Sequence, residues 1–170
     1  MSKILIVVDM QNDFVYGSLG TKEARGIVKR LADKVNGFDG KIIFTRDTHY
    51  ADYMTTLEGE YLPVPHCIFE TDGWQIIPEL DTKGAEVIDK TTFGYKDWQK
   101  LLGEVAPDTS FELCGVCTDI CVLSNALTLR MFYPNNKITV DAACSAGVTP
   151  EKHAAALRVM ESCQIDVIND

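Results

Sequence analysis

No uninterrupted apolar run in this sequence of 170 residues reaches the roughly 18 residues that a membrane-spanning helix needs. Basic residues are also scarce, because 16 Lys and Arg stand against 25 Asp and Glu, a formal net charge of −9. Nucleic acids and anionic membranes bind clustered Lys and Arg. We therefore expect neither of them as a partner.

The opening segment, MSKILIVVDM, lacks the length and the processing site of a secretory signal peptide. Six cysteines would suggest disulfides in a small secreted chain. Without an export signal, and with enough apolar residues for a substantial core, we expect reduced thiols and a cytoplasmic protein. The length is that of one domain, residues 1–170.

Apolar, β-branched runs alternate along the chain with segments of helical periodicity. The predicted strands are 3–10, 41–47, 86–90, 111–116, 137–143 and 164–169. The predicted helices are 23–36, 95–105, a stretch from 120 onward, and 150–163 with Thr149 as its cap. This alternation predicts a three-layer α/β fold, Rossmann-like, with a mainly parallel six-stranded sheet and helices on both faces. The unpatterned segment 48–79 predicts a functional loop or one with short elements of its own.

The stretch FELCGVCTDICVLSNALTL, residues 111–129, carries the clearest chemical signal. A strand ends at Val116, the chain turns, and an apolar helical pattern begins at Ile120. Thr118 and Asp119 are predicted to cap that helix. Cys121 would then lie at a helix N-terminus, where the macrodipole favours a thiolate. We predict a nucleophile there, against the plainer alternative of a core cysteine.

Charged residues close the other strands, with Asp9, Asp47 and Lys90 at three strand ends. In folds of this kind ligands bind beyond the carboxyl ends of the strands. A thiol nucleophile needs a proton acceptor and usually a cation. Asp9 is suited to accept the proton and Lys90 to hold the charges together, while backbone N–H groups around Cys117 and Cys121 would bind an oxyanion. Singly, each Asp is also explained as a cap and Lys90 as a solvated rim residue, and a Cys–His dyad stays an alternative.

The cysteines and histidines also allow other interpretations. Cys114, Cys117 and Cys121 are spaced C-x-x-C-x-x-x-C, which is compatible with an iron–sulfur cluster or a redox pair. A cluster needs a fourth ligand, and a strand residue at Cys114 should point away from the turn. The remaining cysteines are expected to be packing residues: Cys67, Cys144 and Cys163. His49 and His66 bracket the long segment, a placement that suits a metal site.

Five segments carry a resemblance to a known family: IVVDMQNDF (6–14), TRDTH (45–49), PHC (65–67), DKTTFG (89–94) and GVCTDICV (115–122). On these motifs, which span nearly the whole chain in order, it resembles the isochorismatase-like cysteine hydrolases and, among them, the nicotinamidases. The resemblance implies roles for individual residues. They are Asp9 as general base, Lys90 as orienting cation, Cys121 as nucleophile, a cis peptide between Val116 and Cys117 at the oxyanion site, and Phe14 in the ring pocket.

The resemblance also implies a divalent metal that orients the pyridine nitrogen of the substrate. Asp47, His49 and His66 match three of the ligands, and Asp and His two apart at a strand end point to the same side. The sequence lacks the further histidine that is commonest between them, so we predict Glu58 as the fourth ligand over Asp52 and Glu60. Zinc is expected, with iron or manganese also suited to mixed N and O ligands. The alternative is that both histidines are polar loop residues without a metal.

The resulting hypothesis is an amidohydrolase that converts nicotinamide to nicotinate and ammonia through a thioester. Isochorismate hydrolysis is disfavoured because those relatives do not use the nucleophilic cysteine. Another small amide or carbamoyl substrate, or a non-catalytic ligand-binding module, stays open. A homo-oligomer is a further possibility, since the apolar residues of 129–133 fit either a subunit contact or internal packing.

Overall fold

The computed structural model describes residues 2–170 around one six-stranded sheet. The strands are β1 Lys3–Val8, β2 Lys41–Asp47, β3 Glu86–Lys90, β4 Ser110–Val116, β5 Lys137–Ala146 and β6 Asp166–Ile168. The helices are α1 Asn12–Val15, α2 Lys22–Gly37, α3 Leu57–Tyr61, α4 Trp98–Leu102, α5 Leu123–Phe132 and α6 Pro150–Ser162. All neighbouring strands are parallel, in the order β3-β2-β1-β4-β5-β6. The predicted α/β fold is confirmed.

The central strand β1 is apolar on both faces because both faces are covered. Ile4 and Ile6 pack into the cluster formed with α4, α5 and α6, whereas Leu5 and Val7 pack into the cluster formed with α2. Successive strand residues point to opposite faces, so a strand between two helical layers needs a continuous apolar run. The two layers explain the pattern seen in the sequence.

Some element bounds differ from those predicted, and each difference has a local cause. β1 ends at Val8 because Asp9 has a φ of 49°, outside the range of a strand. The helix predicted over 95–105 is only Trp98–Leu102, since Gly103 leaves helical geometry with a φ of 62°. β5 continues to Ala146 past a register shift against β4. Thr149 does cap α6, since its hydroxyl accepts the N–H of Lys152.

The long segment 48–79 carries short elements and is tied to the sheet edge. It contains one-turn helices at Tyr53–Thr55 and Asp72–Trp74 as well as α3. Trp74 Nε1 donates to Thr48 Oγ1 over 2.8 Å, and the Tyr53 hydroxyl donates to the Leu62 carbonyl over 2.8 Å. Both rings are buried, so the segment has packing of its own.

The turn after β4 departs from the predicted capped α-helix. Thr118–Val122 forms a single π turn that leads into α5, and no side chain caps it. Thr118 Oγ1 lies 2.8 Å from His153 Nδ1, and Asp119 Oδ1 accepts the N–H of Val148. The capping prediction is therefore wrong, because tertiary partners in the β5–α6 region take both side chains.

The cysteines and the apolar run at the end of α5 mostly pack internally. All six cysteines are free thiols. Cys114 lies in the α2-side cluster and Cys121 in the opposite one, as expected of a strand residue that points away from the turn. Leu129 and Tyr133 are buried, whereas Met131 is 68% exposed. Among residues 2–170, none of the helices combines the length and the apolar character that crossing a membrane requires.

Candidate active site

The carboxyl ends of β1, β2, β3 and β4 bring four ionisable side chains into one buried group. Asp47 and Lys90 are direct partners in the β2–β3 register, and Asp9 follows β1, which lies on the other side of β2. Cys121 enters from the π turn after β4. The four residues are between 0% and 5% exposed. This burial excludes the interpretation of Lys90 as a solvated rim residue.

Lys90 lies at the centre of this group. Its Nζ is 2.6 Å from Asp9 Oδ2 and 3.2 Å from Asp47 Oδ1, and it donates to Cys121 Sγ over 3.5 Å. Burial by itself lowers the pKa of Lys90, but attraction to Asp9, Cys121 and Asp47 raises it well above the ordinary value. Lys90 is therefore an ammonium that links a carboxylate to the thiol.

The burial of the Cys121 thiol opposes its ionisation. Burial raises the pKa of Cys121 well above its ordinary value, and the opposing effect of Lys90 is smaller. This direction is opposite to the one that a helix N-terminus favours, because removal from water disfavours the charged form of the thiol. Asp9 adds to the raised pKa of the thiol, and its Oδ1 accepts from Thr45 Oγ1 over 2.6 Å. Burial raises the pKa of Asp9 too, so both groups resist ionisation.

The backbone beside the thiol has the special geometry that the resemblance implied. The peptide bond between Val116 and Cys117 is cis. Gly115 precedes it with a φ of 115°, and a Cβ there would lie 2.2 Å from the Val8 carbonyl oxygen. Only glycine fits this close approach of β4 to β1. Ile120 and Val122 donate their N–H groups to the Cys117 carbonyl, which closes the turn.

A second group of side chains adjoins the first through Asp47. His49 Nε2 and His66 Nε2 lie 2.9 and 3.6 Å from Asp47 Oδ2, while Glu58 Oε1 lies 3.6 and 3.8 Å from the same two nitrogens. Burial alone would raise the pKa of Asp47, but Lys90 and the two histidines hold it well below its usual range. The Asp47 carboxylate is therefore negatively charged, and it contacts both groups of side chains.

The chemistry of this second group fits a divalent metal. The four ligand atoms of Asp47, His49, Glu58 and His66 all lie within 4.8 Å of one another. Ligands at about 2.0–2.2 Å from zinc are up to about 4 Å apart, so small side-chain movements suffice. His66 Nδ1 lies 2.8 Å from the Val64 carbonyl, and it must be the N–H donor there, so the neutral imidazole has its lone pair on Nε2.

The other acidic residues in this interval are placed differently. Asp52 and Glu60 are exposed, whereas Glu58 is half-buried on α3 with its carboxylate toward the histidines. Burial raises the pKa of Glu58, with Asp47 adding to the shift and the histidines opposing it. A bound cation would relieve this crowding of negative charge. The geometry therefore favours Glu58 over the other two carboxylates.

Aromatic rings surround the histidines. The Phe14 ring is 5.4 Å from the His66 ring, and the Tyr53 ring is 4.8 and 5.1 Å from those of His49 and His66. Asp13 Oδ2 accepts the N–H of Cys67 over 2.8 Å and so anchors the residue after His66. Sequence reasoning missed Tyr53 and Asp13. Tyr53 lies in a segment without periodicity, but Asp13 is inside the motif at 6–14 and was a recognisable candidate.

The fold is a parallel α/β sheet with a buried thiol beside the ammonium of Lys90 at the carboxyl ends of its strands. The isochorismatase domain model matches residues 3–169, and the chain belongs to this family. The nicotinamidase of Schizosaccharomyces pombe is 27% identical, with 98% of this chain and 92% of the relative covered. The nicotinamidase/pyrazinamidase of Mycobacterium tuberculosis is also 27% identical, with 98% of each chain covered.

Solved structures of similar proteins have the same fold. The pyrazinamidase of Pyrococcus horikoshii, solved in complex with zinc, superposes with a TM-score of 0.83 at 26% identity, with 100% of both chains covered. The nicotinamidase/pyrazinamidase of Bacillus subtilis gives a TM-score of 0.80 at 28% identity, with 98% and 99% covered. The family and these relatives indicate amide hydrolase activity, as the sequence predicted.

Proposed function

We propose that this amide hydrolase deaminates nicotinamide to nicotinate, with Cys121 as the nucleophile. The observation that carries the proposal is the buried ammonium of Lys90, which lies within 3.5 Å of both the Asp9 carboxylate and the Cys121 sulfur. A thiol, a proton acceptor and a fixed cation in one water-excluded group are what nucleophilic attack on an amide needs. The relatives named nicotinamidase support the choice of substrate.

The contacts of Lys90 with both Asp9 and Cys121 support a role for Asp9 in the first step. Asp9 takes the thiol proton as the sulfur attacks the carboxamide carbon. Lys90 stays in contact with both groups during this transfer. Backbone N–H groups near the cis peptide after Val116 would bind the oxyanion. Asp9 then returns the proton to the leaving nitrogen, ammonia departs, and a thioester remains. Water, deprotonated by Asp9, hydrolyses the thioester to nicotinate and regenerates the thiol.

Asp47, His49, Glu58 and His66 are the proposed ligands of a divalent metal. A bound metal would supply a Lewis acid for the ring nitrogen of nicotinamide. Zinc is the first candidate, because the P. horikoshii relative was solved with zinc and because two imidazoles with two carboxylates suit it. Phe14, whose ring lies against that of His66, is proposed to pack against the bound pyridine ring.

Ammonia release from nicotinamide by the purified protein tests the reaction. We expect turnover that is lost on treatment with a chelator, restored by zinc, iron or manganese, and absent in Cys121→Ala. Cys163→Ala is the matched control, because Cys163 is a partly buried thiol in the α6 region and should leave turnover unchanged. Benzamide, which lacks the ring nitrogen, should be a poorer substrate. Full turnover in Cys121→Ala would overturn the mechanism.

Metal affinity tests the ligand set without relying on activity. Glu58→Gln should weaken zinc binding by more than about tenfold, since even groups that only support a ligand change affinity by about 10–100-fold. Glu60→Gln alters the same chemical group on the same helix, but at an exposed position, and should bind zinc as the parent does. Competition with a chromophoric chelator measures both constants. Equal affinity in the two variants would remove Glu58 from the site.

A further inference from the structure

Asn125 is a fully buried amide that lies one helical turn beyond the nucleophile. Its exposure is 0%, and its side chain makes four hydrogen bonds. Nδ2 donates to the Cys121 carbonyl over 2.9 Å and to the Phe93 carbonyl over 3.3 Å. Oδ1 accepts the Tyr95 N–H over 2.8 Å and Trp98 Nε1–H over 3.0 Å. A primary amide offers two donors and two acceptor positions, so its whole capacity is used.

The partners of Asn125 belong to two separate parts of the proposed active site. Cys121 lies in the π turn, whereas Phe93, Tyr95 and Trp98 belong to the segment that follows Lys90 at the end of β3. That segment is the direct continuation of the residue whose ammonium contacts Asp9 and Cys121. The Asn125 side chain therefore links the backbone of the nucleophile to the chain that carries its cation.

The packing of Gly94 supports this link independently. A Cβ built on Gly94 would lie 3.1 Å from Thr128 Oγ1 and 3.2 Å from the Ser124 carbonyl oxygen. The segment after Lys90 is therefore seated directly on α5. Asn125 bonds the residues on either side of Gly94, so it holds the segment at its point of closest approach to the helix.

We propose that Asn125 is a positioning residue that sets the separation of Lys90 Nζ and Cys121 Sγ by joining their two segments. The proposal rests on the assignment of Cys121 as nucleophile. A displacement of about 1 Å in a catalytic group can cost about 10²-fold in rate. We expect Asn125→Asp, which keeps the size and the acceptor atoms but loses both donors, to lower kcat by about 10–100-fold with KM within about threefold of the parent.

Asn136→Asp is the matched control. Asn136 is also a buried amide, and its Nδ2 donates to the carbonyls of Ala106 and Thr109 over 3.0 Å each. It lies just before β5, at the amino ends of the strands, whereas the site lies at their carboxyl ends. Asn136→Asp should lower the free energy of unfolding about as much as Asn125→Asp does, but it should leave kcat unchanged. Gly94→Ala is a milder change in the same segment, and it should also lower kcat.

The deciding experiment measures three quantities for each variant: kcat and KM for nicotinamide, the rate of Cys121 alkylation by iodoacetamide read by peptide mass spectrometry, and urea unfolding. Slower alkylation and lower kcat in Asn125→Asp, with neither in Asn136→Asp, support the proposal. Unchanged kcat and alkylation in Asn125→Asp, or an equal loss in Asn136→Asp, overturn it. If Asn125→Asp does not fold, Gly94→Ala decides by the same criteria. A parent protein without turnover would refute the proposed function instead, and the alkylation rates would still test Asn125.

Discussion

The ammonium of Lys90 should stabilise the fold as well as serve the chemistry, and Lys90→Met tests this. The substitution keeps the length of the side chain but leaves the carboxylates of Asp9 and Asp47 buried without their cation, which lies 2.6 and 3.2 Å away. Removal of one partner from a buried ion pair costs about 3–5 kcal/mol, because an uncompensated charge remains. Two carboxylates remain here, so we expect a loss toward the upper end of that range.

Urea unfolding of the metal-free protein at pH 7 measures this loss. Lys41→Met is the matched control, because Lys41 pairs with Glu86 over 2.9 Å on the same sheet but with side chains that are 46% and 37% exposed. Exposed pairs contribute about 0.2–1 kcal/mol, so the control should change little. A loss below about 1 kcal/mol in Lys90→Met would refute the view that Lys90 compensates buried charge.

The pH dependence of the loss gives an independent check. Without Lys90, the burial that already raises the pKa of Asp9 is no longer opposed by the ammonium. The folded variant then holds a proton that the unfolded chain releases above about pH 4. Stability of Lys90→Met should therefore recover as pH falls from 8 to 5.5, so that its difference from the parent shrinks. The double variant with Asp9→Asn should lose less than the sum of the two single changes.

Two further predictions concern the thiols and the glycines. Burial raises the pKa values of Cys117 and Cys144 from 9.0 to about 12, so the unfolded chain loses these protons first and stability should fall as pH rises above 9.0. Replacement of both by Ala should make the fall of the urea midpoint between pH 8.5 and 10.5 less steep, and an unchanged slope would contradict this. Gly115→Ala should cost about 4 kcal/mol or more in urea unfolding because its Cβ would overlap the Val8 carbonyl, whereas Gly26→Ala, in open space on α2, should gain about 0.5–1 kcal/mol.

The strands and helices could be predicted because apolar residues are spaced differently along each kind of element. Residues 4–8 of β1 are all apolar since two helical layers cover them, and the strand ends that carry Asp9, Asp47 and Lys90 follow directly from the ends of such runs. Parallel strands place their carboxyl ends on one edge, so the meeting of these side chains needed no knowledge of distances.

The helix at α4 shows where this reasoning fails. The sequence 95–105 has helical spacing, yet its start is held by the bond from the Tyr95 N–H to Asn125, which comes thirty positions later in the chain. The turn at Thr118 and Asp119 fails in the same way, since His153 and Val148 bind the side chains that a local pattern assigns to capping. Local signals cannot reveal a competing partner that is distant in sequence.

The sequence by itself determined the sheet, the edge at which the polar residues gather, and the residue types that suit a thiol nucleophile and a metal. Only the tertiary structure decided which carboxylate faces His49 and His66, because the direction of Glu58 depends on how α3 folds back over the edge. The direction of the pKa shift of Cys121 was likewise decided only by the tertiary structure. A pKa depends on removal from water and on charges within a few ångströms, and both are properties of the packed fold, not of neighbours along the chain.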